Sequence, residues 1–327
     1  MAPRSWLALR YLAGLPGFLR GTLSPEQCRR RVEERLANRQ AAFLDVLRAG
    51  VYGNRRSPYR RLAERAGIPL AEVTGWVERD GVEAALERLC DAGVYLTLEE
   101  FKGRRPIRRP GLELTVSPAD FDMPRSGYPA RSGGSRGPAT PVIIDHGLLT
   151  HEAAYSRLSL DAAGIGERPV AVWRPVPPGV AGLKDVLRHA KHGGAVAAWF
   201  SPLPLDWGRH GWPFALFTAA VVGAGRLGGR RLPWPRHVPL ADAVVCARWL
   251  AAARARGAPG LLETTPTGAV RVCLAAREAG LDVAGSVFRV GGEPLTPARE
   301  RLVRAAGCRA LPRYSLAEAG NLGLACG

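Results

Sequence analysis

Apolar residues recur along this chain with two different periods, and the change from one to the other divides it. From Ser24 to about Lys102 they return every three or four residues, as in Gly81-Val82-Glu83-Ala84-Ala85-Leu86-Glu87-Arg88-Leu89, the spacing of helices that bury one face. Ser24-Pro25-Glu26-Gln27 marks a helix start, with serine as cap, proline where no N–H is needed and glutamine closing a capping box. Ser57-Pro58 begins another helix in the same way. Gly93-Val94-Tyr95-Leu96-Thr97 turns to strand-like residues. Residues 1–105 are therefore expected to form a mainly helical N-terminal section.

Residues 106–140 are dense in Gly, Pro, Ser and Arg with little periodicity, which predicts a loop region. From 141 to 327 short apolar runs alternate with helical patterns. Pro141 to Asp145, Pro169 to Val176, Leu261 to Thr265, Val283 to Val290 and a run ending near Tyr314 read as strands. Thr150 to Ala163, Leu183 to His192, 240–255, 267–279 and 297–306 read as helices. That alternation predicts an α/β fold, a layered and largely parallel sheet flanked by helices, following the helical section.

Composition narrows the partners. The 327 residues carry Lys+Arg 46 against Asp+Glu 29, a net charge of +17, and only Lys102, Lys184 and Lys191 are lysine. A positive field favours anionic partners such as a nucleotide, coenzyme A or an acidic carrier protein. The arginines form no tail or single stripe, so specific nucleic-acid binding is not expected. Six scattered cysteines without a C-x-x-C pair suit reduced, mostly buried thiols and a cytoplasmic setting. Arg10 splits the apolar N-terminal run, which therefore reads as an amphipathic segment rather than a signal peptide. The longest uncharged apolar run, Phe214 to Gly225, is too short to span a bilayer, so no membrane partner is expected.

The stretch Ala130-Arg131-Ser132-Gly133-Gly134-Ser135-Arg136-Gly137-Pro138-Ala139-Thr140 contains G-x-S-x-G. A nucleophile elbow needs a strand directly before the serine and a helix directly after it, and here a loop precedes and a strand follows. A Walker loop needs a lysine that is missing between Lys102 and Lys184. A loop whose small residues turn N–H groups and hydroxyls toward a polyphosphate remains, beside the plain alternative of a surface linker. Further along, Val290-Gly291-Gly292-Glu293-Pro294 leaves exposed backbone at a strand end, where open α/β sheets place ligands. Tyr314-Ser315-Leu316-Ala317-Glu318 offers, at another strand end, a ring that can stack on a base and a carboxylate that can hold a hard cation.

In this order, over roughly residues 57–327, these stretches resemble the acyl-adenylate-forming superfamily, in particular its phenylacetate-CoA ligase-like branch. The Ser/Gly loop looks like the family's phosphate loop, Gly291-Gly292-Glu293-Pro294 like its adenine-side segment, and Tyr314 to Glu318 like its Y-G-x-T-E motif. The lead-in 93–104 is also similar. The resemblance implies an incomplete N-terminal domain of such an enzyme, with ATP and Mg2+ as cofactors. Ser132, Gly133, Gly134, Ser135 and Gly137 would wrap the phosphates, Gly291 to Pro294 would line the adenine, Tyr314 and Ser315 would lie against it, and Glu318 would bind the metal. Ser135, Arg136 and Glu318 would be the catalytic groups.

The implied reaction is attack of a small carboxylic acid, aryl acids included, on the α-phosphorus. Transfer to a thiol of coenzyme A or of a carrier-protein phosphopantetheine would follow. This sequence departs from the pattern at Ser315 and Ala317, where the motif has glycine and threonine, and at Ala139-Thr140, where the loop often ends in lysine. The family continues beyond this motif, so a fragment of a longer ligase is expected. The alternative is a truncated nucleotide-binding relative, without turnover, that acts with a partner protein.

Two other clusters carry simpler readings. His189 and His192 sit three apart on a predicted helix, a chelating spacing, yet without a third ligand they read as a solvated basic helix end. Trp207, His210 and Trp212 read as aromatic core packing, with an acyl-pocket wall as the alternative.

Overall fold

The structure, a computed structural model, describes residues 4–117, 120–121, 127–131, 141–209, 211–317 and 319–325. In chain order the elements begin with α1 Arg4–Arg20, α2 Pro25–Ala37, α3 Arg39–Val46, α4 Pro58–Ala66, α5 Leu70–Asp91 and α6 Leu98–Phe101. The hairpins β1 Ile107–Arg109 with β2 Leu112–Leu114, and β3 Tyr128–Arg131 with β4 Pro141–Ile144, follow. Then come α7 His146–Ala162, β5 Val170–Trp173, α8 Ala181–Lys191, β6 Val196–Ser201, α9 Trp212–Leu227 and β7 Pro235–His237. The chain closes through α10 Val244–Ala255, β8 Leu261–Thr264, α11 Pro266–Glu278, β9 Val287–Val290, α12 Pro297–Ala305, β10 Arg309–Leu316 and β11 Gly320–Leu324.

Contacts divide the chain into two compact units, Val32–Arg125 and Met1–Arg31 with Ser126–Gly327, so the first helix joins the α/β unit rather than the helical one. The reason lies in its apolar face. Tyr11, Leu15 and Leu19 are fully buried in the same cluster as Tyr128 and Ile144 of the β3–β4 hairpin, and the Tyr11 ring stacks on His146 at 4.1 Å.

The Val32–Arg125 unit is a helical cluster around Leu44, Leu62, Val73, Val77, Leu89 and Ile107. Its longest helix, α5, bends at Gly81, whose φ of +88° a side chain would resist. Gly93–Thr97 is not a strand. The Gly93 and Val94 N–H groups instead close the last turn of α5 by donating to the carbonyls of Cys90 and Leu89, and Thr97 caps α6 in a capping box with Glu100. The capping box at Ser24 forms as the sequence predicts, with the Gln27 N–H donating to Ser24 Oγ at 3.1 Å and the Ser24 N–H to Gln27 Oε1 at 2.8 Å.

In the other unit seven strands lie in the order β11-β10-β9-β8-β5-β6-β7, parallel except for the β10–β11 pair. Alternation sends Val172, Leu261, Val287 and Leu311 to the core shared with α1, α7 and α8. Ala171, Leu262, Phe288 and Val290 face the core shared with α10, α11 and α12. The expected α/β layering is therefore present. Three elements of it, β6, β7 and α9, are not anticipated by the sequence pattern. The run before the Ser/Gly stretch is also a strand, β3, rather than loop, and the last strand runs to Leu316 and folds back as β11.

Replacing Phe288, fully buried on a central strand, by alanine is expected to cost about 3–5 kcal/mol, measured as a lowered urea midpoint of unfolding.

Candidate functional site

Strands β5, β8, β9 and β10 end side by side, and their last residues carry the candidate chemistry. β9 runs into Gly291-Gly292, with Gly292 at φ +87°. A Cβ on Gly291 would sit 2.8 Å from the Arg313 carbonyl oxygen, so only glycine lets the β9 exit lie this close to β10. Val290, the last residue of β9, pairs with Pro312, so Gly291-Gly292 leaves β9 beside the part of β10 that leads to Tyr314. The Tyr314 side chain is 66% exposed, and a break in register with β11 falls between Tyr314 and Ser315.

Glu293 turns toward α11, where it accepts from the Thr267 N–H at 3.3 Å and from the Thr267 hydroxyl, and pairs with Arg299 at 3.2 Å. Arg299 also donates to the Pro294 carbonyl at 2.9 Å. These contacts fix the turn after Gly292 at the helix start.

Ser132, Gly133, Gly134, Ser135, Arg136, Gly137 and Glu318 lie outside the described residues. Ala130 and Arg131 before these serines and glycines, and Pro141 after them, are described. Arg131 pairs with Pro141 across the hairpin, and its N–H donates to the Pro178 carbonyl at 2.9 Å, in the segment that leaves the end of β5.

Beneath the strand ends lies a set of charges that the sequence reading missed. On one face of four neighbouring strands an apolar residue is followed two positions later by a charged one: Val172 and Arg174, Leu261 and Glu263, Val287 and Arg289, Leu311 and Arg313. Helix α8 opposes them with Lys184, Asp185, Arg188 and His189, and α7 with Glu152 and Ser156, all of them buried. Charged residues inside strand-like runs such as Leu261-Leu262-Glu263-Thr264 and Val287-Phe288-Arg289-Val290 were the available signal.

The layer is tightly bonded. Arg313 forks onto Asp185 at 3.2 and 3.3 Å. Arg188 donates to Asp185 at 2.7 Å. Glu263 meets His189 Nε2 at 2.7 Å and pairs with Arg289, which donates to Ser156 Oγ at 2.8 Å. Lys184 donates to Glu152 at 2.7 Å. Arg174 donates to the carbonyl oxygens of Gly291, at 2.9 Å, and Thr264, tying three strand ends together.

Burial works to raise the Asp185 and Glu263 carboxyls, yet the surrounding guanidiniums hold both below the usual carboxylate range, Arg313 and Arg188 foremost at Asp185 and Arg289 foremost at Glu263. Burial pulls Arg174 and Arg289 down to about 10, still cationic at neutral pH. Five cations face three carboxylates, so the layer is net positive.

His189 and His192 do not form a solvated helix end. Both are buried with ring centroids 5.0 Å apart, and burial pushes both below the ordinary histidine value. Nor is the tryptophan cluster core, since Trp207 and Trp212 are each more than half exposed, while His210 lies outside the described residues. Among the described residues no three His, Cys, Asp or Glu gather to hold a metal, and no helix is long and apolar enough to cross a membrane.

No protein-family model and no curated protein sequence matches the chain. Among solved structures, an open conformation of 2-hydroxyisobutyryl-CoA ligase in complex with 2-HIB-AMP and CoA is similar, at 17% identity and a TM-score of 0.42 over 85% of this chain and 49% of that one. VinN in complex with L-aspartate is similar at 15% identity and a TM-score of 0.36, over 72% and 44%. A luciferase-like enzyme from the nonluminescent Zophobas morio mealworm matches at 9% identity and a TM-score of 0.36, over 75% and 49%. The chain spans about half the length of the structures it matches.

Two outcomes are expected of the ionic layer. Glu263→Gln removes the carboxylate that faces Arg289 and Arg188 and accepts from the His189 ring, and should cost about 3–5 kcal/mol in urea unfolding. His146, held down at about 4 by burial, must with His189 and His192 stay neutral in the folded state, whereas the unfolded chain takes up protons near 6.5. Stability contributed by these residues is thus complete above about pH 6.5 and falls as the pH drops below it, for His146 down to about 4, which thermal unfolding across that range reads as a falling midpoint.

Proposed function

We propose that the carboxyl edge of the sheet binds ATP and that the chain takes part in activating a carboxylic acid as its acyl-adenylate, in the manner of the phenylacetate-CoA ligase-like branch. One observation carries this reading: the side-chain-free turn Gly291-Gly292 and the exposed Tyr314 stand on adjacent strand ends, and Arg174 of the buried, net-positive layer reaches the Gly291 carbonyl. A purine stacks on the ring while glycine leaves the base room to approach. The positive layer favours the phosphates.

Arg131, which leads into the Ser/Gly stretch, is held at this same edge by the Pro178–Gly179 backbone. In this reading Ser132 to Gly137 wrap the phosphates and Arg136 supplies the neutralising charge. Magnesium would arrive with the nucleotide and be held largely by its phosphates, with Glu318 adding a carboxylate. A carboxylate oxygen of the substrate attacks the α-phosphorus, the bond to the bridging oxygen breaks, and pyrophosphate leaves. The acid itself is the nucleophile, so the protein's part is to position the reactants and stabilise the developing charge. A thiol, of coenzyme A or of a carrier-protein phosphopantetheine, would then take the acyl group.

Titration calorimetry with ATP·Mg2+ on the full chain should give saturable binding, weakened about fivefold or more by Tyr314→Ala, since stacking on one ring contributes ~1–3 kcal/mol. An absence of saturable binding would overturn the nucleotide reading. Binding without carboxylate-dependent pyrophosphate release, over a panel of acyl and aryl acids, would leave a nucleotide-binding chain and remove the ligase reading.

A further inference from the structure

We propose that the outward face of helices α1 and α9 docks on an anionic lipid surface, the chain lying on the membrane rather than crossing it. The two helices pack side by side within the α/β unit. Tyr11 and Phe217 bring their ring centroids to 6.1 Å, and a Cβ on Gly228 would sit 2.7 Å from the Leu19 side chain, so α1 and α9 run in the same direction. Trp6 stands five residues before Tyr11 and Trp212 five before Phe217, which puts both tryptophans at one end of the helix pair.

Neither helix buries its whole circumference. α1 leaves Trp6 and Leu9 more than half exposed, and α9 leaves Trp212, Leu216 and Leu227 so. Trp212, Leu216, Gly223 and Leu227 follow one another at helical spacing, so they lie along one side of α9. A Cβ added at Gly17 of α1 or at Gly223 would meet nothing within 4 Å among the described residues, so nothing stands over either helix there. Open apolar faces of this kind mark contacts with proteins or membranes.

Charge and aromatic residues decide between the two. Residues 1–25 and 207–241, the segments that carry these helices, hold three and five arginines and no Asp or Glu, in a chain with 29 acids. Elsewhere a surface arginine finds a carboxylate one turn away, as Arg60 does with Glu64, whereas Arg10, Arg20 and Arg226 are exposed on helices that contain no acid. The four tryptophans that are more than half exposed, Trp6, Trp207, Trp212 and Trp234, all fall in these two segments, and the other four are buried or half-buried. Indole rings settle between headgroups and acyl chains, and an arginine stem can lie along apolar surface while its guanidinium reaches a lipid phosphate. A partner helix seats in a groove, whereas the space over Gly17 and Gly223 is open. A lipid surface asks only for an apolar strip, aromatic residues at its margin and cations with no acid beside them.

Sedimentation of the full chain with vesicles of phosphatidylglycerol and phosphatidylcholine in equal parts, and with vesicles of phosphatidylcholine alone, tests this. The anionic vesicles should bind about tenfold or more tighter than the neutral ones, shift the tryptophan emission to shorter wavelength and release the chain as salt is raised. Leu216→Glu, at an exposed position that folding does not require, should weaken binding about tenfold or more while the urea midpoint stays where it is. Leu302→Glu makes the same change of charge at an exposed position of α12 and should leave binding unaltered. Equal losses from the two substitutions would mean attraction by net charge alone and overturn the assignment to this face. No binding to anionic vesicles overturns the proposal outright and leaves the face to an acidic protein segment. None of these readouts involves ATP, so this surface and the nucleotide site fail separately.

Discussion

Asp185 and Glu263, two carboxylates with no exposed surface, are the nodes around which the α/β unit is arranged. An ionised carboxylate taken out of water is tolerable only where opposite charges and hydrogen bonds replace the solvent it loses. That requirement fixes what can stand nearby. Arg313 must fork onto Asp185 from β10, Arg289 must reach Glu263 from β9, and Arg188 must reach across from α8. The strands thus hold their order through side chains as well as through their backbone ladders. A helix running between two layers, as α8 does, can be buried on every side and still carry Lys184, Asp185, Arg188 and His189, because each of these points into the same network.

The network also reaches the backbone of the candidate site. Arg174 spends its donors on the carbonyls of Thr264 and Gly291, so the exit of β9 is fixed by a guanidinium rooted at the end of β5. Gly291 cannot drift, since a neighbouring strand carbonyl occupies the space where a side chain would be, and Glu293 is anchored to the first turn of α11. Tyr314 alone among these groups is free of such ties and projects into solvent. A site built this way is rigid in its floor and adaptable in its aromatic wall, which suits a ligand whose flat base must enter and leave while its charged part is always oriented in the same way.

Much of this architecture was legible in the sequence, for reasons that also explain what was not. Strands such as Val287–Val290 and helices such as Pro297–Ala305 carry clear apolar periods and turn residues at their ends. Val196–Ser201 was missed because it follows a Gly-Gly pair and mixes alanine with aromatics, and Trp212–Leu227 because its run is apolar on all sides and rich in alanine and glycine. Gly93–Thr97 has strand-forming residues, but a glycine at positive φ and a threonine cap decide its conformation locally. The pairing of Gly291-Gly292 with Tyr314 could be foreseen as two strand ends, though not as neighbours, because sheet order is a long-range property. The ionic layer was hidden because a charged residue is read as exposed by default. Only the strand alternation around Glu263, Arg289 and Arg313, which points them to the same side as Leu261, Val287 and Leu311, assigns them to the interior.

The positive charge of the chain therefore has two unequal parts. Most of the +17 comes from exposed arginines spread over the surface. Charges of that kind are screened within about 8 Å at physiological ionic strength and often pair locally, as Arg304 does with Glu300 and Arg254 with Asp282. The smaller excess inside the ionic layer is shielded from salt and acts through a medium of low polarisability, where the same charge exerts several times the force it would in water. An anion approaching the carboxyl edge of the sheet would meet that inner field at short range. A preference for anionic ligands at the proposed site would accordingly be set by a handful of arginines that composition cannot distinguish from the rest, and it would survive neutralisation of much of the surface.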